Sequence, residues 1–346
     1  MRAAVMTRHG GPEVVEHREV AVPEPGPGEV LVRVSAAGCD NTDLWTREGS
    51  YGTADEPAGW LGPIDVPRIQ GADVAGTVVG LGPGADPSLD GARVLVDPAG
   101  YDGPGDDAAV ASVLGSERDG GFAELVVVPA ERAHRVEGSP LDDVELAALP
   151  IAHGTALGML ERGGVTDEAA PGARVLVTGA SGGVGLAAVQ LAAVRGAEVV
   201  AVSSTPHLTT VARAGASHVI DRLADDVVGA ARSAAGGEGY DAVIDVGAGD
   251  AAGPGLDLLR PDGRWVVAGA LGGWRVELDV RRLYLANRAL VGSTMHSPRV
   301  FGLLVDLARS GAIRPVVAET YPLARLADAH ADLAARAHAG KLVVVP

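Results

Sequence analysis

Apolar positions along the chain fall into two textures. Up to about residue 135 they come in short runs broken by Gly and Pro. Glu29-Val-Leu-Val-Arg-Val-Ser35 alternates apolar with polar residues and predicts a half-buried strand, and Gly91–Val96 and Phe122–Val128 predict two more. Val20–Pro27 is punctuated by proline, and Pro67–Gly82 continues in the same style. Closely spaced short strands with such turns predict a β-rich, partly barrel-like region. Pro98–Gly121, dense in Gly and Asp, predicts a surface loop. From Asp142 the pattern turns helical: acidic residues open Asp142–Leu149, Pro150 follows, and a further apolar segment runs to Leu160.

The second texture begins at Ala173. Compact apolar runs at Arg174–Thr178, Glu198–Val202, Ala216–Asp221, Tyr240–Val246, Gly263–Gly269 and Ala289–Gly292 alternate with helical stretches. A run without polar alternation is what a strand covered on both faces requires, so the rhythm predicts a doubly wound parallel sheet. Helices are expected over Arg299–Ala312 and Leu323–Ala339, and a closing strand over Lys341–Val345.

The first unit of that sheet carries the strongest chemical signal. Strand 174–178 runs into Gly179, Gly182, Gly183 and Gly185, then into the Ala/Leu-rich helix 186–194, which Gly196 stops. Glycines at such a turn let the backbone approach a pyrophosphate, and the helix N-terminus offers free N–H groups and the positive end of a dipole. The spacing Gly179-x-x-Gly182-x-x-Gly185 differs from G-x-G-x-x-G, so its strand-before, helix-after context carries the reading of a dinucleotide site. Glycines serving only close helix–sheet packing are the alternative.

Composition narrows the class. The chain has 346 residues, 47% hydrophobic residues and a net charge of −17, and no apolar run long enough to span a bilayer. Such acidity speaks against unaided nucleic-acid binding. The N-terminus lacks a signal-peptide core, so a cytoplasmic location is expected. One cysteine, Cys39, excludes an internal disulfide and a cysteine-rich zinc cluster. Lys341 is the sole lysine.

Several segments together resemble the medium-chain dehydrogenase/reductase superfamily over nearly the whole chain. Gly38-Cys-Asp-Asn-Thr-Asp-Leu-Trp-Thr-Arg-Glu-Gly-Ser-Tyr51 is similar to the quinone oxidoreductase pattern G-x-N-x-x-D-x-x-x-R-x-G-x-Y. Gly71–Gly76, Asp119–Glu124, Leu149-Pro150 leading to Thr155-Ala156, Ala180–Gly185 and Gly340-Lys341 also match. The resemblance implies an α/β fold: a GroES-like catalytic domain from 1–150 and 292–346, and a Rossmann domain from 151–291. Zinc-dependent members carry a catalytic cysteine where this chain has Asp40, and a histidine where it has Ala72; the third ligand position falls on Ile151. Cys39 is one residue out of register, and Pro98–Gly121 has no cysteine for a structural zinc. The resemblance is therefore to the zinc-independent branch, with a weak oxygen-rich site at Asp40, Asp73 and His153 as the alternative.

NAD-specific units end the second strand with Asp or Glu, which repels a 2′-phosphate. Here Ser203 and Ser204 stand there, with His207 and Arg213 following, which favours NADPH; the serines could instead cap the next turn. By resemblance, Val184 joins the glycines at the pyrophosphate, and Thr155, Ala270, Leu271, Ser293 and Thr294 meet the nicotinamide. For an enone or quinone, hydride goes to carbon and charge builds on oxygen, so donors are needed there. Tyr51 is the expected donor, with plain packing at the cleft edge as the alternative. Asp40, where the family usually has asparagine, is either protonated or a partner of the carboxamide or a substrate hydroxyl, or caps its turn. Thr42, the proton-relay position of alcohol dehydrogenases, keeps carbonyl reduction open, as does a non-catalytic NADPH-binding role. Asp43 and Arg47 are expected as a structural pair or as loop anchors, and Trp45, Trp60 and Trp274 as cleft or core. A small-molecule substrate and a homodimer paired through Ala289–Thr294 complete the expectation.

Overall fold

The structure is a computed structural model and describes residues 1–51, 64–248, 252–273 and 275–346. The chain divides into two compact units, Met1–Ile151 with Ser297–Pro346, and Ala152–His296. Trp60, Trp274 and most of the Ser50–Pro63 loop lie outside the described residues.

The first unit opens with β1 (Arg2–Met6), β2 (Val15–Glu19), β3 (Glu29–Cys39), helix α1 (Asn41–Glu48), β4 (Arg68–Ile69), β5 (Asp73–Leu81) and β6 (Arg93–Val96). Along β3 the expected alternation holds as far as Val34: Val30, Val32 and Val34 point inward and Arg33 is exposed. Its last residues, Ala36 to Cys39, are buried throughout. The Pro98–Gly121 stretch is not a plain loop: β7 (Ala99–Tyr101) pairs antiparallel with β8 (Val110–Val113). Ala99 and Val113 are buried, the Tyr101 hydroxyl donates to Asp97, and the Arg132 guanidinium covers the Tyr101 ring at 4.1 Å. These apolar islands are too short to show as periodicity amid Gly and Asp. Then come β9 (Leu125–Pro129), β10 (Ala133–Arg135), helix α2 (Asp143–Ala147) and helix α3 (Pro150–Arg162). Pro150 opens α3, where its missing N–H costs nothing.

In the second unit β11 (Arg174–Val177), α4 (Gly183–Val194), β12 (Glu198–Ser203), α5 (Leu208–Arg213), β13 (His218–Asp221), α6 (Val227–Ala234) and β14 (Tyr240–Asp245) alternate as the sequence predicts. Helix α7 (Ala252–Gly255), β15 (Leu259–Val267), α8 (Arg281–Tyr284) and β16 (Ala289–Gly292) complete it. The six strands are all parallel in the order β13-β12-β11-β14-β15-β16. That is the doubly wound order, whose chain direction reverses between β11 and β14.

The chain then returns to the first unit through α9 (Pro298–Ser310), β17 (Val317–Pro322), α10 (Leu326–Ala335) and β18 (Lys341–Val345). Helix α10 is shorter than expected because Arg336 takes a left-handed conformation at its end. β18 pairs antiparallel with β3 and completes a seven-stranded sheet in which β3 also pairs with β5 and β9.

Candidate functional site

Two registers on either side of β3 assemble the polar centre of the first unit. β18 sets Leu342 opposite Cys39, and β5 sets Asp73 opposite Gly38. One step beyond the first pairing, Lys341 meets Asp40. Its Nζ lies 2.6 Å from Asp40 Oδ1 and 2.9 Å from Asp73 Oδ2, with all three side chains buried. Gly38 makes room: a Cβ there would lie 2.9 Å from Asp73 Oδ2 and 2.5 Å from the Ala147 carbonyl. Asp73 Oδ1 accepts the Ile151 N–H at 2.6 Å, so both its oxygens are engaged. Asp40 Oδ2 is buried without a partner. Burial works against the charge on Lys341, but Asp40 and Asp73 outweigh it and hold the ammonium above its ordinary range. Burial, then the charge of Asp40, pushes Asp73 well up.

Asp43, in the first turn of α1, accepts the Asp40 N–H at 2.8 Å and the Gly71 N–H at 3.3 Å. Burial and the neighbouring Asp40 push it up to about 7. Arg47 bonds not Asp43 but the Gly10 carbonyl and His330 Nδ1, the latter at 2.9 Å. Burial, reinforced by Arg47, drives His330 down to about 3, so it is the neutral ring that accepts. Asp43 and Arg47 are thus separate anchors of the two ends of α1. Burial raises the Tyr51 phenol to about 12 against the opposing effect of the Thr42 hydroxyl, so it keeps its proton at neutral pH. The Trp45 ring stands edge-on to Tyr51 at 5.8 Å. Cys39 is a buried free thiol, pushed up by burial.

In the second unit the glycine turn has the form the dinucleotide reading needs. Gly179 has φ +59°, and a Cβ on Gly185 would sit 2.2 Å from the Gly179 carbonyl, so the turn closes only without side chains. Gly182 is the N-cap of α4 and no side chain caps the helix, which leaves the N–H groups of Gly183, Val184 and Gly185 to an outside acceptor. Ser203 ends β12, 2% exposed, with its Oγ lacking a partner, and Ser204 is half-buried beyond it. His207 precedes α5. Thr155 is buried in α3, Ser293 is buried with an unpartnered Oγ just after β16, and Ala270, Leu271 and Thr294 are more open.

One group in this unit escapes the sequence reading. Asp245, at the end of β14, accepts the Thr178 hydroxyl at 2.5 Å, the Trp265 indole N–H at 2.9 Å and the N–H groups of Gly247 and Ala248. It ties together the ends of β11 and β14, where the winding reverses. The available signal is an acid closing the apolar run 240–246. The role of Lys341 was likewise visible only as part of a Gly-Lys pair. Among the described residues no group of three His, Cys, Asp or Glu is arranged to hold a metal ion, and no helix is long and apolar enough to cross a membrane.

A doubly wound unit with an uncapped glycine helix, in one chain with a GroES-type sheet, defines a dehydrogenase-like protein. Residues 26–138 match the alcohol dehydrogenase GroES-like domain, and residues 183–310 match the zinc-binding dehydrogenase family. The chain is 31% identical to a 2-haloacrylate reductase of a Burkholderia species, covering 99% of this chain and 98% of that protein. It is 29% identical to the quinone oxidoreductase of Rattus norvegicus, covering 96% and 94%. Among solved structures, a putative alcohol dehydrogenase from Sinorhizobium meliloti is 42% identical with a TM-score of 0.92, covering 100% of this chain and 96% of that one. The chain belongs to the medium-chain dehydrogenase/reductase superfamily, in its quinone oxidoreductase-like branch, and is an oxidoreductase.

Proposed function

We propose that this oxidoreductase uses NADPH to reduce an activated alkene or quinone, without a catalytic metal. The observation that carries the reading is the ammonium of Lys341 lodged between Asp40 and Asp73. The two carboxylates that could have served a cation already share one, and Asp40 and Ala72 replace the sulfur and nitrogen donors that zinc prefers. Charge developing on a substrate oxygen then falls to hydroxyl donors, and Tyr51 with the Thr42 hydroxyl supplies them. Tyr51 donates while still carrying its proton. Lys341 offsets the negative charge of Asp40, which would otherwise oppose an enolate.

The second unit supports the cofactor. The free N–H groups of α4 suit a pyrophosphate, and the unpartnered Ser203 Oγ suits a phosphorylated ribose, with Ser204 and His207 beside it. Thr155, Ala270, Leu271, Ser293 and Thr294 are assigned to the nicotinamide end. Bound there, the dinucleotide supplies the hydride. A homodimer paired through β16 completes the reading: β16 is the edge of its sheet, with Leu290, Leu285, Tyr284 and Val280 exposed on or near it.

The Thr42 hydroxyl acting on Tyr51 also favours a second reading, reduction of a carbonyl to an alcohol, because such a pair can pass a proton to oxygen. NADPH oxidation assayed with simple quinones and enones, with product analysis, tests the proposal. Saturated ketones and hydroquinones are expected. Allylic alcohols would favour the second reading, and binding of NADPH without turnover would overturn both.

A further inference from the structure

The NADPH reading so far rests on hydroxyl donors, yet a doubly charged 2′-phosphate asks for a fixed cation. β12 and β13 run parallel with Ser203 opposite Asp221, and the Arg222 N–H donates to the Ser203 carbonyl at 2.8 Å. Arg222 therefore leaves the sheet level with Ser203, one strand further out. Its side chain is exposed and makes no hydrogen bond or ion pair with a described residue. Elsewhere in this unit Arg174, Arg195, Arg260, Arg281, Arg282 and Arg288 all engage carboxylates. Ser203, whose carbonyl accepts that Arg222 N–H, carries a buried Oγ without a partner.

Asp221 stands between them in sequence but is fully engaged. Its Oδ2 accepts the Thr205 hydroxyl at 2.5 Å and its Oδ1 accepts the Leu223 N–H at 3.0 Å. These bonds and, more weakly, the charge of Arg222 hold its carboxyl below the ordinary range, and the bonds pin the turn that carries Ser204 to His207. Arg213, the other cation nearby in sequence, lies at the end of α5 away from that turn.

We propose that Arg222 grips the 2′-phosphate of the cofactor, with Ser203 Oγ donating from below and Asp221 fixing the Thr205 turn as a positioning residue. The inference rests on the NADPH reading and deepens it: discrimination between the two nicotinamide dinucleotides comes from the strand next to the one on which it is normally sought.

Calorimetric titration of wild type, Arg222→Ala and Arg222→Lys with 2′,5′-ADP and with 5′-ADP tests it without turnover. Wild type should prefer 2′,5′-ADP. Arg222→Ala should lose about tenfold in affinity for that probe, about 1.4 kcal/mol, with 5′-ADP binding unchanged. Arg222→Lys should recover part of the loss. If wild type prefers 2′,5′-ADP but Arg222→Ala leaves that preference intact, or weakens both probes alike, the role of Arg222 falls while the NADPH reading stands. If wild type binds both probes equally, the NADPH reading falls and Arg222 with it.

Discussion

Lys341 bridges two carboxylates that precede it by 301 and 268 residues. Removing one member of such a buried group strands a charge and typically costs about 3–5 kcal/mol, so the three side chains act as a clasp between β3, β5 and β18. Two other buried groups set how stability responds to pH, in opposite senses. Asp43, held at about 7, keeps a proton that the unfolded chain loses near 3.8, so its contribution is lost as pH rises from about 4 to 7. His330, held at about 3, refuses a proton that the unfolded chain takes near 6.5, so its contribution is lost as pH falls below that value. In a His330→Gln variant the second loss should vanish. The stability of wild type relative to the variant is expected to drop by up to about 1.4 kcal/mol per pH unit below 6.5. Urea unfolding of both proteins at pH 7, 6 and 5 checks this; a constant difference would refute it. At this scale the sequence was legible where a residue serves the backbone, as at Gly179, whose φ of +59° suits glycine. It was silent on Lys341 and His330, whose partners are set by distant strands and helices.

Among the elements, the turn from β11 into α4 was the most legible, because glycine there answers a backbone requirement that no other residue meets. Gly185→Ala forces a methyl to within 2.2 Å of the Gly179 carbonyl. The turn must open, and the N–H groups of α4 lose their common aim. Affinity for the dinucleotide should fall by at least tenfold, while far-ultraviolet circular dichroism stays near wild type; unchanged affinity in a titration followed by cofactor fluorescence would contradict this. The doubly wound sheet was equally plain, since strands covered on both faces leave uninterrupted Val/Ala/Leu runs such as Val199–Val202. The β7–β8 hairpin was not. Its strands are short and lie between charged and glycine residues, and tertiary burial of Ala99 and Val113, not local pattern, holds them.

For the molecule as a whole, the exposed edge at β16 invites a second copy. An isologous pairing of two such edges would extend one sheet across both subunits and cover Leu290, which is 47% exposed. Leu290→Asp should shift the protein from dimer to monomer in sedimentation velocity at micromolar concentration; a wild type that sediments as a monomer would remove the basis for the pairing. Identity of the second unit as a dinucleotide fold could be read from alternation alone. The C-terminal segment from Ser297 belongs with the first unit through the pairing of β18 with β3.

The burial of the only lysine has a practical consequence for anyone handling this protein. Reagents that acylate amines are kept from its ε-amine so long as the chain stays folded. The ε-amine of Lys341 becomes available only when β18 leaves β3. Acylation at Lys341, read by mass of the peptide that carries it, is therefore a built-in clock for the opening of the seven-stranded sheet.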